Sequence, residues 1–191
     1  MPRAQTIVEE PTGLVYRPEF VTEDEERELL AFLDELDFRE VTMRGQTARR
    51  TVRHFGYDYD YEGWRLTPAD PLPVELVWLR DRCGELAELT GEELAQTLVT
   101  RYPPGATIGW HRDAPMFGPK VVGVSLLSAC RLRLQRRSGD VRRVFALELT
   151  PRSAYVLGGQ ARSSWQHSIP PTATLRYSVT FRTLKNPSRW H

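Results

Sequence analysis

Arg176-Tyr177-Ser178-Val179-Thr180-Phe181-Arg182 alternates with a period of two. Read as a strand, it sets Arg176, Ser178, Thr180 and Arg182 on one face and Tyr177, Val179 and Phe181 on the other. The aromatic and β-branched face belongs against a core. The opposite face holds two guanidinium groups and two hydroxyls, which are costly to bury without an anionic partner. A bound dicarboxylate meets that need, because arginine–carboxylate pairs are charge-assisted and often bidentate. The competing reading is an edge strand with its arginines in water, and the residues upstream decide between the two.

Upstream lie further short β-type runs broken by Pro and Gly: Leu98–Tyr102, Ile108–His111, Val121–Leu127, Arg131–Gln135, Val144–Leu149 and Ser153–Leu157. Two helices precede them. From Thr22 to Leu36 the residues Leu29, Leu30, Phe32, Leu33 and Leu36 recur at helical spacing, with Thr22 as N-cap and Glu25 three residues on. The second runs from about Pro73 to Leu89. Helices followed by many short strands predict an α+β chain ending in a sandwich or jelly-roll barrel, with the N-terminal helices packed on it. No linker splits the chain, so residues 1–191 read as one domain. Residues 1–97 supply the helices and the segment between them, to which the family resemblance given below assigns a substrate-lid region, and residues 98–186 the barrel core.

Composition narrows the class. A chain that is 40% hydrophobic and 27% charged is an ordinary globular protein, and no apolar run is long enough to span a bilayer. Cys83 and Cys130 cannot build a disulfide framework, which fits buried thiols in a reducing cytoplasm. No segment calls for a protein partner, and a monomer is expected. Residues 1–40 carry twelve acids and four basic residues, net −8, whereas the remainder carries thirteen acids and twenty-two basic residues, net +9. The basic part is nearly all arginine, whose planar fork suits phosphate and carboxylate. That polarity hints at an anionic partner.

The four histidines are His54, His111, His167 and His191. His111 and Asp113 stand two apart in Trp110-His111-Arg112-Asp113, so in an extended segment both side chains face one way and can reach one metal. His167 comes much later, placed after another strand, in Trp165-Gln166-His167-Ser168. His-x-Asp alone is most often a hydrogen-bonded pair. With a distant His it has the arrangement of the facial triad, which leaves iron with open positions. Trp110 and Trp165 adjoin the two histidines and read as core.

Thr100-Arg101-Tyr102-Pro103-Pro104-Gly105-Ala106, then His111-Arg112-Asp113, then Gly158-Gly159 before His167, then Arg176 to Arg182, together resemble the AlkB family of oxidative demethylases. The resemblance implies a double-stranded β-helix, Fe(II) on His111, Asp113 and His167, and 2-oxoglutarate with O2 as cosubstrates. It places Tyr102, Arg176 and Arg182 on the 2-oxoglutarate, Arg176 at the distal carboxylate and Arg182 near the chelating end. Thr100 and Ser178 stand where the family often has Asn, and each keeps a shorter hydrogen-bonding group. Several DNA-repair members carry a base-reading carboxylate two residues after the iron aspartate, where this chain has Pro115.

The activity implied is oxidative demethylation of alkylated bases in DNA or RNA, with release of formaldehyde. Arg49 to Tyr59 mixes arginines with aromatics, suits phosphate contact and base stacking, and resembles the substrate lid of some relatives. Arg53, His54, Tyr57, Tyr59 and Arg112 are the substrate candidates. Arg131 to Arg143 alternates through a turn and could track a nucleic-acid backbone, although a solvated hairpin is the reading its pattern favours. Two alternatives remain: the same iron chemistry on a protein side chain or modified tRNA, and a non-catalytic, cupin-like small-molecule binder.

Overall fold

The structure, a computed structural model, describes residues 5–43, 45–60 and 65–185. His191 lies outside them. Short edge strands β1 (Gln5–Val8) and β2 (Leu14–Arg17) precede helix α1 (Glu23–Asp34). Strands β3 (Arg39–Met43), β4 (Gln46–Phe55), β5 (Tyr57–Asp60) and β6 (Arg65–Pro68) follow, then α2 (Val74–Leu86). The barrel proper is β7 (Gln96–Tyr102), β8 (Ile108–His111), β9 (Phe117–Leu126), β10 (Cys130–Ser138), β11 (Val141–Leu149), β12 (Ser153–Leu157), short helix α3 (Gly159–Ser163), β13 (Gln166–Ile169) and β14 (Arg176–Leu184).

Two sheets face each other. The larger runs β2-β12-β9-β14-β7-β4-β3 and the smaller β1-β11-β10-β13-β8, with β5 and β6 forming a separate hairpin. All pairings are antiparallel except β1 with β11. This is the jelly-roll architecture of a double-stranded β-helix. The N-terminal region differs from a helices-plus-lid expectation: β2, β3 and β4 extend the larger sheet and β1 extends the smaller.

The alternation of β14 divides the core. Tyr177, Val179 and Phe181 pack with Leu29, Leu33, Leu76 and Leu79 of the two helices. Between the sheets lies a second cluster of Tyr102, Val121, Leu132, Leu134, Leu149, Tyr155, Leu157 and Trp165. Arg176, Ser178, Thr180 and Arg182 therefore point into the barrel, and the edge-strand reading of this segment falls. Trp165 is wholly buried, whereas Trp110 is half exposed under the Arg133 guanidinium, 5.2 Å from the ring centroid.

Thr22 caps α1 as its sequence predicts. Its hydroxyl accepts from Glu25 N at 3.2 Å and Glu25 Oε2 accepts from Thr22 N at 2.8 Å. Arg82 of α2 forks onto the same carboxylate at 2.7 and 2.8 Å, and that fork above all holds the Glu25 carboxyl down at about 2. Several of the N-terminal acids are spent in this way. Glu19, Glu23 and Glu26 surround Arg152, and Glu9 pairs with Arg143 and Arg136. Part of the charge polarity between residues 1–40 and the rest is thus internal neutralisation. Both cysteines are buried free thiols, pushed upward by burial. Among the described residues no helix is long and apolar enough to cross a membrane.

Candidate active site

Strands β8 and β13 are neighbours, and their register sets His111 directly opposite His167, with ring centroids 4.2 Å apart. His167 lies within a strand, not after one. Its side chain faces inward beside Leu134, its partner on β10. Asp113 follows the end of β8, in a loop pinned by the half-buried Arg162 guanidinium. Arg162 Nη2 donates to the Ala114 and Phe117 carbonyls at 3.2 and 3.0 Å. Arg162 comes from α3, whose approach needs glycine: a Cβ on Gly13, itself at φ +88°, would lie 2.4 Å from the Gly158 carbonyl oxygen.

The two Asp113 oxygens are used differently. Oδ1 accepts from Arg182 Nε at 3.0 Å. Oδ2 is buried without a hydrogen-bond partner and lies 3.7 Å from His167 Nε2. Burial pushes the Asp113 carboxyl up, but Arg182, the two histidines and Arg162 outweigh it and leave the group well below the usual carboxylate range. Burial, with His111 beside it, lowers His167 to about 3, and burial also lowers His111. At neutral pH both imidazoles are neutral and the carboxylate ionised, the protonation state in which all three can ligate. His111 Nδ1 donates to the Gly109 carbonyl at 2.9 Å, which leaves its Nε2 lone pair available.

This donor set fits a divalent iron. Two neutral imidazoles and one carboxylate, with an orphaned oxygen turned toward one of the rings, suit the facial arrangement. Among the described residues no group of three His, Cys, Asp or Glu side chains forms a ready coordination cage. The remaining gap is short, because the 3.7 Å between Asp113 Oδ2 and His167 Nε2 exceeds by under an ångström the ~3 Å between neighbouring donors around an ion with ~2.1 Å bonds.

Deeper in the barrel is a niche for an anion. Arg176 is 1% exposed; its Nε donates to Ser125 Oγ at 3.1 Å and its guanidinium lies 4.9 Å from the Tyr102 ring centroid. Its Nη1 is buried with no partner. Thr100 and Ser178 are opposite each other on β7 and β14, both buried, and neither hydroxyl makes a hydrogen bond among the described residues. Arg182 is fixed at both ends, by Asp113 and by Gln96, whose Oε1 accepts from Nη1 at 3.0 Å. The wholly buried Gln96 in turn donates to His54 Nδ1 at 3.1 Å and to the Tyr57 carbonyl at 3.4 Å. It thereby ties the candidate iron carboxylate to the root of the β5–β6 hairpin.

The substrate candidates separate. His54 is buried on the inner face of β4, opposite Leu98, as part of that hydrogen-bonded chain, and burial lowers it to about 4. Arg53 points the other way, ion-paired with Asp70 and 5.3 Å from the Phe55 ring centroid. Tyr57 and Tyr59 pack on the loop after Asp113, Tyr59 against Phe117 at 5.6 Å between centroids. Arg112 is exposed beside the triad and donates to the Ser163 carbonyl at 3.4 Å. Sequence reasoning missed Gln96, Ser125, Tyr155 and Arg162, and did not separate Arg50, which shares the His54 face and acts electrostatically on His111. The alternation of β7, extended back two residues, would have found Gln96.

A sequence model of the 2OG-Fe(II) oxygenase superfamily matches residues 13–182. The chain belongs to that superfamily, and it is an oxygenase of the AlkB family. It is 27% identical over 168 residues to the tRNA (carboxymethyluridine(34)-5-O)-methyltransferase alkbh8 of Xenopus tropicalis, covering 84% of this chain and 26% of that protein. It is 29% identical over 192 residues to the alkylated DNA repair protein ALKBH8 homolog of Arabidopsis thaliana, covering 83% of this chain and 51% of that protein. The chain thus spans between a quarter and half of the length of these relatives. The solved structure of OsALKBH1 superposes with a TM-score of 0.70 at 15% identity, over 91% of this chain and 97% of that one.

Proposed function

We propose that this chain holds Fe(II) with His111, Asp113 and His167, binds 2-oxoglutarate on Arg176, Tyr102 and Arg182, and oxidises N-methyl groups on nucleobases of DNA or RNA. The observation that carries the reading is the pair of unspent buried groups: Asp113 Oδ2 beside His167, and Arg176 Nη1 deep in the same barrel. A buried acceptor and a buried donor left without partners are expensive unless ligands complete them. Iron with 2-oxoglutarate and oxygen supplies the oxidation of a C–H bond, which on an N-methyl group ends in loss of formaldehyde.

The protein's own part is placement. Arg182 orients Asp113, Gly109 sets the His111 tautomer, and Arg176 and Tyr102 receive the distal carboxylate. Thr100 and Ser178 offer hydroxyls along the way. Arg50 and Arg112 leave cationic charge at the mouth, suited to phosphate. Pro115, exposed two residues after Asp113, has no side chain with which to read a base edge. Together with tRNA in the name of a relative, that favours a modified RNA base as the second reading.

Anaerobic titration with Fe(II) and 2-oxoglutarate tests the site. A weak visible charge-transfer band is expected in the wild type and should disappear in His111→Ala; no band in the wild type overturns the assignment. Formaldehyde release from oligonucleotides carrying 1-methyladenine or 3-methylcytosine tests the substrate. Succinate formed without formaldehyde on any of them moves the assignment to another modified base.

A further inference from the structure

The barrel interior contains a phenol that the sequence did not single out. Tyr155 is on β12 with its side chain between the sheets, among Tyr102, Val121 and Leu157. Its cross-strand partner on β9 is Gly123, and beyond Gly123 on the same row is Thr180 of β14. The Tyr155 ring crosses that glycine. A Cβ at position 123 would come within 2.4 Å of ring Cζ and 2.6 Å of the hydroxyl oxygen. Glycine at 123 is therefore what lets the ring reach over β9 and bring its hydroxyl to the middle of the barrel.

Around that hydroxyl, the next inward residue of β9 is Ser125, which holds Arg176 Nε at 3.1 Å. Tyr102, opposite Arg176 on β7, is in the same cluster. The Tyr155 hydroxyl makes no hydrogen bond among the described residues, and the residue as a whole is 9% exposed. That leaves the phenol free to donate to a ligand, and the buried Arg176 Nη1 needs an acceptor in the same niche. Burial, with Tyr102 nearby, also pushes the phenol upward, so it remains a proton donor.

We infer that Tyr155 is a further cosubstrate-binding residue: its hydroxyl donates to the carboxylate that Arg176 receives, and Gly123 is the clearance that permits it. This rests on the 2-oxoglutarate reading above. An anion held there takes donors from Arg176 Nη1 and from the Tyr155 hydroxyl, two groups that otherwise have no partner.

The test is calorimetric binding of 2-oxoglutarate to the Mn(II)-loaded chain, which reads affinity without turnover. Tyr155→Phe keeps the ring over Gly123, and melting temperature checks that it folds like wild type. Its Kd for 2-oxoglutarate should rise on the order of tenfold, as for one hydrogen bond to a charged group. 2-Oxobutyrate lacks the distal carboxylate, so it should bind wild type and Tyr155→Phe alike. Gly123→Ala keeps the hydroxyl but displaces the ring, and should reproduce the loss for 2-oxoglutarate. An unchanged Kd in Tyr155→Phe, or an equal loss for 2-oxobutyrate, overturns the role of Tyr155. No binding by the wild type overturns the cosubstrate reading itself, which separates the two failures.

Discussion

Two stretches of this barrel are dense in arginine, the inner face of β14 and the β10–β11 hairpin. On the hairpin four of the six arginines find a polar partner in the protein. Arg133 Nε donates to Ser168 Oγ at 3.1 Å, Arg136 Nη1 to Gln160 Oε1 at 2.8 Å, Arg142 Nε to Gln135 Oε1 at 3.1 Å, and Arg143 Nε to Glu9 Oε2 at 2.7 Å. On β14 the two arginines are more enclosed: Arg176 is 1% exposed and keeps Nη1 without a partner, whereas Arg136, whose Nε is also unpaired, belongs to a side chain 25% exposed. Number of charges does not separate these strands; how deeply the unmet nitrogen is enclosed does. A cation in water is satisfied wherever it points, whereas a buried one identifies its ligand by what it lacks.

The comparison is tested most severely at Arg182. Arg182→Met removes the donor to Asp113 Oδ1 and the bond to Gln96, and leaves a buried carboxylate without its principal partner. Groups that orient metal ligands typically contribute 10–100-fold to metal affinity. A loss of about that size in Mn(II) affinity is expected, together with loss of measurable 2-oxoglutarate binding. Arg182→Lys should fall between, since it restores charge without the fork. Metal affinity of Arg182→Met within twofold of wild type would break the inner half of the comparison.

The next test uses pH. His54 continues the same inner chain through Gln96, and burial lowers it to about 4 from 6.5. Between those values the unfolded chain binds a proton that the native chain refuses, so stability rises with pH there. The contribution is complete above pH ~6.5 and lost as pH falls toward 4, amounting to about 3 kcal/mol. In His54→Asn the amide oxygen can still accept from Gln96, but the titration is gone. Its melting temperature should therefore decline less than wild type over that window. Parallel declines would mean that His54 is accessible to water and outside the desolvated row.

β14 was legible because both of its faces are distinctive and its period is strict, and Ile108–His111 and Ser153–Leu157 begin and end where their residues say. The edge strands were not. Gln5–Val8 and Leu14–Arg17 are four residues each, largely exposed, and extended because β11 and β12 offer them a ladder. β13 is similar: Gln166-His167-Ser168-Ile169 has little strand character of its own and is fixed by β10 on one side and β8 on the other. The metal candidates could be named because histidines are few and their spacing is informative. Which of Arg50, Arg53 and His54 face the site could not be read locally. Alternation sorts them into two faces, but only the register of β4 on β7 says which face is inward.

The smallest effect is expected on the hairpin. Arg143→Gln breaks an ion pair with Glu9 in which both side chains are partly in water, 26% and 41% exposed. Such pairs contribute up to about 1 kcal/mol, screened further by salt. The melting temperature should hardly move, and Kd for Mn(II) and 2-oxoglutarate should stay at the wild-type value. The informative measurement is affinity for a single-stranded oligonucleotide across a salt series. An unchanged affinity and salt slope leave the hairpin as a solvated face whose arginines answer to Glu9 and to the neighbouring polar side chains. A slope smaller by about one, with metal and cosubstrate binding intact, would make Arg143 a phosphate contact. The lesson of β14 would then have to be narrowed, because a satisfied arginine on an outer strand can exchange its carboxylate for a phosphate at little net loss.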